Sequence, residues 1–378
     1  MKRYYSSISN TDLFQVRNSS IGTLTKDNRH FPETEKDAQE MVTAIYAHLL
    51  FESPETSSQY YIAQLAGDDC LGGNLSYSNN CATNFLMYSG NLNTFAGIWD
   101  RCYTLINRAN NAINTMENVK SWSSESERNR LFGESYFLRA MAYYELAQVF
   151  GGVPLRTTLE STNLPRASVD EIYAQIAADL KNAIEMMPAK IYPKGSDMTG
   201  HATKYAAEAM MARVFLFYTG RYEKNELPNG TTKEEVISWI DDCVNNSGHK
   251  LVSDQRNIWA YTNDATEDNT EGSLTYVINH NLKWEGNSSD ETLFANKHNL
   301  KSDWTYTWFS NTCAQFYSPS ADNYSNKDSY PFGTGWGAGP CISGYGQRME
   351  RLGRQADLYG RLQGGSPSDR FHMVVQST

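Results

Sequence analysis

The sequence has no long apolar run, no closely paired cysteines and no concentration of basic charge. Without a stretch of about 18 consecutive apolar residues, nothing in it reads as a bilayer-spanning helix. The first residues, MKRYYSSISNTDLFQV, start basic but carry no apolar segment behind that start, so they are not an intact secretory signal. Six cysteines stand at 70, 81, 102, 243, 313 and 341 with no CxxC among them, which argues against a structural zinc site. Cys70 and Cys81 flank a Gly/Asn-rich loop; a local disulfide and ordinary buried thiols are both open for them. The formal charge of −10 and the absence of a basic run argue against a nucleic-acid partner and an electrostatic membrane patch.

Catalytic signatures are missing as well. There is no HExxH, GxSxG or Walker-type GK[ST], and the seven histidines are scattered without metal-ligand spacing. GTGWGAGP (333–340) has the glycines of a dinucleotide loop in number but not in spacing, and Pro340 closes it. TNDATEDNTEGS (262–273) has the composition of a calcium loop, but Asn269 and Thr275 stand where glycine and glutamate are needed. It reads as a solvated acidic loop. No cofactor and no metal is expected. Glu285, Asp290, Glu291 and Asp303 are the carboxylates from which a glycosidase pair would have to come.

What the 378 residues do contain is helical periodicity followed by aromatic loops. That length fits two or three ordinary domains or one large continuous one. Within 36–51, Ala38, Met41, Val42, Ile45, Tyr46 and Leu49 share a face; within 99–116, Trp99, Cys102, Ile106, Ala109, Ile113 and Met116 do the same. A third helix is expected from Ser124, with a capping box to Glu127, through Phe150. A fourth starts with Ser168-x-x-Glu171 and stops before Pro188. A fifth runs from about His201 to Thr219, ended by Gly220, and a sixth from Thr232-x-x-Glu235 to about Gly248. Six helices with short breaks describe a mainly α, tetratricopeptide-like helical hairpin stack.

Residues 133–155, GESYFLRAMAYYELAQVFGGVPL, form the most unusual helix. Tyr136, Ala140, Tyr143, Ala147 and Phe150 make one stripe, and Phe137, Met141 and Tyr144 the adjacent one. A helix apolar on so many sides needs several neighbours, as an inner helix of a stack has. LRAMAYY is echoed 74 residues later by ARVFLFY, pairing Arg139 with Arg213 and Tyr144 with Tyr218. Both arginines read as packed stems whose heads meet carboxylates or carbonyls.

Beyond residue 250 the character changes. SLTYVINHN (273–281) looks strand-like among long polar loops, so short strands in an irregular region are expected. Trp284, Trp304, Trp308 and Trp336, with Tyr306, Tyr317, Tyr324 and Tyr330, alternate with Asn, Ser, Asp and Lys without core periodicity. Flat aromatic rings stack on the C–H faces of pyranoses while amides and charges bond their hydroxyls, so such a segment suits glycan binding. A local aromatic core or a protein contact surface fits the composition equally.

WDRCYTLINRANNAI (99–113), the 133–155 stretch, RASVDEIYAQIAADLKNAI (166–184) and GHATKYAAEAMMARVFLFYTGRY (200–222) occur in that order. With FPETEKDAQEMVTAIY (31–46), this resembles the SusD/RagB family of outer-membrane nutrient-uptake proteins from Bacteroidetes, over roughly residues 30–340. The resemblance implies a helical scaffold (1–250), an aromatic, loop-rich glycan-binding region (251–340), and a surface lipoprotein at the outer membrane without catalytic activity. It implies two partners, an oligosaccharide or polysaccharide and a SusC-type TonB-dependent transporter. It places the ligand in loops of both halves, the loop after GDD and the 284–336 segment, with Asp68, Tyr77, Trp304, Tyr306 and Trp308 as the expected glycan-binding residues. The lipid-bearing cysteine of such proteins lies upstream of anything here. The tail 341–378, with five arginines and no lysine, departs from the family pattern and reads as a truncated or shifted frame. A helical-repeat adaptor holding a protein in a concave groove is the alternative, and an α-helical glycosidase the third reading.

Overall fold

The computed structural model describes residues 31–49, 93–160, 162–190, 200–258, 280–282, 285 and 289–295. Six α-helices carry the fold: α1 (Glu35–Leu49), α2 (Asn93–Thr115), α3 (Glu125–Phe150), α4 (Val169–Met186), α5 (Lys204–Tyr222) and α6 (Lys233–Asn246). Each packs on its neighbour in the chain, and α1 also reaches α3, giving the expected stack of helical hairpins. Among the described residues there is no strand, only an isolated bridge between Pro154 and Arg166. The strand-like 273–281 segment falls almost wholly outside the described residues.

Local sequence sets most helix ends. Ser168 with Glu171 and Thr232 with Glu235 form complete capping boxes, satisfying amides that the first turn leaves without partners. The expected box at Ser124 is only half formed. Ser124 accepts from the Glu127 amide at 3.1 Å, but the Glu127 carboxylate turns away to Arg130 and to Gln39 of α1. Tertiary ion pairing outcompetes the local cap here. α2 begins six residues before Trp99. α5 begins after Thr203, whose hydroxyl accepts from the Ala206 amide, rather than at His201.

Gly220 does not end α5. The helix continues to Tyr222 and stops where Glu223 turns left-handed. Tyr222 packs on Tyr218 and Tyr173, with ring centroids 5.2 and 6.0 Å away, and this packing holds the extra turn that glycine would otherwise weaken.

Nearly every side chain of α3 from Leu131 to Ala147 is buried. Gly133 permits the close approach of α4's end, since a β-carbon there would meet the Met187 side chain at 2.5 Å. The helix ends at Gly151 (φ 70°), and at Gly152 an added β-carbon would lie 2.1 Å from the Ala167 carbonyl. Arg166 reaches back to donate to the Phe150 and Gly152 carbonyls, closing the exposed end of α3. Tyr103 and Tyr143 bond the Pro154 and Arg156 carbonyls, so the GGVPL exit is held against α2 and α3.

Within this apolar helix Arg139 is 4% exposed. Its guanidinium donates to both carboxylate oxygens of Asp179 on α4, at 2.8 and 2.6 Å, and to Asn110 on α2, also at 2.8 Å. Gln175 supplies another bond to Asp179. The expected reading of Arg139 as a buried stem with a paired head is correct.

Between α5 and α6 lies a different polar cluster. Lys204 bonds Asp242 at 2.6 Å, while Glu208, fully buried, sits 3.4 Å from the same ammonium without hydrogen-bond geometry. Burial pushes the Glu208 carboxyl up to about 7, with Lys204 opposing that and Asp242 adding to it.

Two outcomes follow from these clusters. Arg139→Ala strands the Asp179 carboxylate and is expected to cost about 3–5 kcal/mol in urea unfolding, most of it regained in Arg139→Met/Asp179→Leu; a loss under about 1 kcal/mol would refute the role given to the pair. Glu208 binds its proton more tightly folded than unfolded, so its contribution is present below pH ~4.5 and lost as pH rises through about 7. Glu208→Gln is therefore expected to gain stability over the wild type between pH 5 and 8, by about 1–3 kcal/mol. Parallel melting curves across that range would contradict it.

Candidate functional site

None of the five expected glycan-binding residues, Asp68, Tyr77, Trp304, Tyr306 and Trp308, lies within the described residues, and neither do Cys70, Cys81 and Asp303. One concavity that the described residues build is a groove between α3 and α5. These helices belong to successive hairpins, and α4 stands between them. On α3, Met141, Glu145 and Gln148 recur at spacings of four and three and so face one way; on α5, Ala206, Ala209, Met210 and Arg213 do the same. Leu49 of α1 also lines it, and the non-helical segment 289–295 contributes Leu293 and Phe294. The cavity holds about 620 Å³.

Its electrostatics are uneven. Arg101 of α2 and Glu145 are paired, each nearly buried, and largely cancel. Burial raises the Tyr144 hydroxyl above its usual range, opposed by the Arg213 charge and by a hydrogen bond with Gln148. The neighbouring His48 imidazole is lowered to about 4 by burial and by Arg108 and Arg101, so it is neutral near pH 7. Arg213 is exposed and forms no ion pair among the described residues. This corrects the expectation that it packs as Arg139 does. The two arginines share a local sequence, but α3 is flanked by both Asn110 and Asp179, whereas the Arg213 face of α5 opens onto the groove. The groove can therefore take apolar groups and one negative charge.

A second polar constellation was not anticipated. The buried Glu134 carboxylate is bonded by Arg130 and by the His201 ring at 2.7 Å. Tyr46 of α1 accepts from the Ala202 amide at 2.8 Å and lies 4.8 Å from the His201 ring, and burial with the nearby Glu134 charge raises its hydroxyl well above the usual range. These residue types suit proton transfer, but the buried Glu134 is consumed by its partners. The array fastens the lead-in to α5 onto α1 and α3. Its one sequence signal is an acid inside an otherwise buried helical run.

Two of the residues named for a glycosidase, Asp290 and Glu291, are tied to the segment that follows α6. The Asp290 carbonyl accepts from His249, its carboxylate lies 3.5 Å from Lys250, and Glu291 accepts from the Val252 amide. These contacts pin 289–291 beside the end of α6. Cys102 and Cys243 are buried and form no disulfide among the described residues. Among the described residues no group of three His, Cys, Asp or Glu side chains is placed to hold a metal ion, and no helix is long and apolar enough to cross a membrane.

A SusD-like family model described as starch-binding and associating with the outer membrane matches residues 24–216. A SusD-like protein of Bacteroides ovatus is 25% identical over 183 residues, covering 46% of this chain and 31% of that protein. A SusD-like protein of Formosa agariphila is 25% identical over 205 residues, covering 52% and 40%. The chain thus spans well under half the length of these relatives. Among solved structures, surface glycan-binding protein A from Bacteroides fluxus superposes with a TM-score of 0.57 at 23% identity, over 81% of this chain and 59% of that one. A laminarin-binding SusD-like protein gives 0.50 at 23% identity, over 63% and 50%. At such identities the likeness is one of fold. The family match covers half of the sequence and the helical hairpins agree with it: the chain belongs to the SusD-like family.

Proposed function

We propose that this chain is a non-catalytic glycan-binding component of an outer-membrane polysaccharide uptake system. In this reading it captures oligosaccharides at the cell surface and passes them to a SusC-type TonB-dependent transporter. The observation that carries it is the family match through the helical scaffold, which brings the description of starch binding at the outer membrane. The names of two structural relatives, one laminarin-binding and one surface glycan-binding, point the same way.

Composition supplies the chemistry. The scaffold (1–250) would carry the aromatic region (251–340), where Trp304, Tyr306 and Trp308 present rings to pyranose faces. Asp68 and Tyr77 would add contacts from the loop after GDD. No covalent step is required, because stacking and hydroxyl bonding suffice for capture. The glycosidase reading loses support where the Glu291 carboxylate is engaged by the Val252 amide and the Asp290 carboxylate lies beside Lys250.

Native electrophoresis through gels containing soluble polysaccharides, starch and laminarin among them, tests the proposal. Selective retardation on one polymer class is expected, weakened about tenfold by Trp304→Ala or Trp308→Ala. Protein that is folded by circular dichroism yet migrates freely through every polymer would sink it.

A further inference from the structure

We infer that the groove between α3 and α5 docks an extended acidic peptide of a partner protein, its apolar side chains against Met141 and Met210 and its carboxylate on Arg213. The inference rests on the groove's own lining and not on the proposed glycan binding.

The walls fit a peptide better than a sugar. The groove's aromatic rings are already engaged: Phe137 meets Phe294 edge-on at 5.1 Å, and Tyr144 meets Phe217 and Tyr173 edge-on at 5.8 and 6.4 Å. Little open ring face is left on which a pyranose could lie. The other walls are thioethers and methyl groups from Met141, Met210, Ala206 and Ala209. Methionine adapts to varied apolar side chains, and the alanines leave room for a main chain. The chain itself supplies a precedent, because Leu293 and Phe294 enter this groove from a non-helical segment. Stacked helical hairpins present extended concave surfaces of this kind.

Charge selects among peptides. With Arg101 and Glu145 paired to each other, Arg213 is the uncompensated charge among the groove-lining residues. It stands out in a chain of net charge −10. An acidic side chain or a terminal carboxylate can meet a guanidinium through two parallel hydrogen bonds, which a neutral amide cannot reproduce. A basic peptide would meet repulsion at the same point.

The full chain titrated by calorimetry with the synthetic peptide Ala-Leu-Phe-Asp-Asp, its Asn-Asn amide and a Lys-Lys counterpart tests this. The acidic peptide is expected to bind about five- to tenfold more tightly than the amide in low salt. Arg213→Ala should erase that preference, and Arg213→Glu should transfer it to the Lys-Lys peptide. Because Arg213 is exposed, neither change threatens folding. Ala209→Trp, which fills the groove, should abolish binding of all three. No binding near 1 mM, on the order of the weakest specific affinities, overturns the inference, as does equal binding by wild type and Arg213→Ala. Self-association that Arg213→Glu removes would also overturn it, by assigning the groove to a second copy.

Discussion

The stack depends on one buried ion pair. Arg139 sits in the middle of a helix whose other inward positions are mostly apolar, and its head bonds Asp179 and Asn110 on the two flanking helices. Burying two charges costs several kcal/mol each unless geometry and additional hydrogen bonds offset it. Here the bidentate contact, Asn110 and Gln175 provide those bonds. α3 can be buried nearly all round because its buried charges are answered, Arg139 by Asp179 and Asn110 and Glu134 by Arg130 and His201. The same contacts bring α2 and α4 to fixed positions against it, and the GGVPL exit is then latched by Tyr103, Tyr143 and Arg166.

The groove follows from that arrangement. With α4 packed against both α3 and α5, the latter two do not close on each other, and a furrow is left along their inner faces. Its floor is set by which residues α3 and α5 turn inward, and its charge by the exposure of Arg213. The furrow is thus a consequence of hairpin stacking, whereas its preference for an anion comes from a single side chain.

Much of the scaffold was legible because helix stripes and caps are written within a few residues. Ser168-Glu171 and Thr232-Glu235 work as their spacing implies, since both partners lie in one turn. Ser124-Glu127 fails in part because Arg130 and Gln39 offer the carboxylate a better site, and Gln39 is 88 residues away. The divergence of Arg139 and Arg213 has the same origin: the segments match, but the neighbours differ. Glu134 left only an acid in a buried helical run and Glu208 only its i,i+4 spacing from Lys204, while the partners His201 and Asp242, which lie on other segments, left no local trace. The expected ligand residues came from aromatic composition and family resemblance, neither of which carries geometry. They lie outside the described residues, whereas the groove arises from side chains that read individually as ordinary core.

The inter-helix polar contacts, buried at Arg139–Asp179 and partly exposed at Lys204–Asp242, share a placement that bears on register. Arg139–Asp179 joins α3 to α4, Glu134–His201 joins α3 to the start of α5, and Lys204–Asp242 joins α5 to α6. Between them the interfaces are alanine, leucine, valine and tyrosine, which regain much of their contact after a slip of one helical turn, about 5.4 Å. An ion pair does not. A one-turn slip of α4 along α3 would leave Asp179 facing apolar side chains and Arg139 without its acceptor, costing several kcal/mol at once. The same logic holds at α5, where a slip would carry Lys204 from Asp242 and leave Glu208 more poorly compensated. The α3–α4 junction therefore has one alignment far below its neighbours in energy, and the partly exposed Lys204–Asp242 pair adds a weaker preference at α5 and α6. The spacing of Met141 from Met210, and with it the width of the groove, is set by charges that no ligand touches.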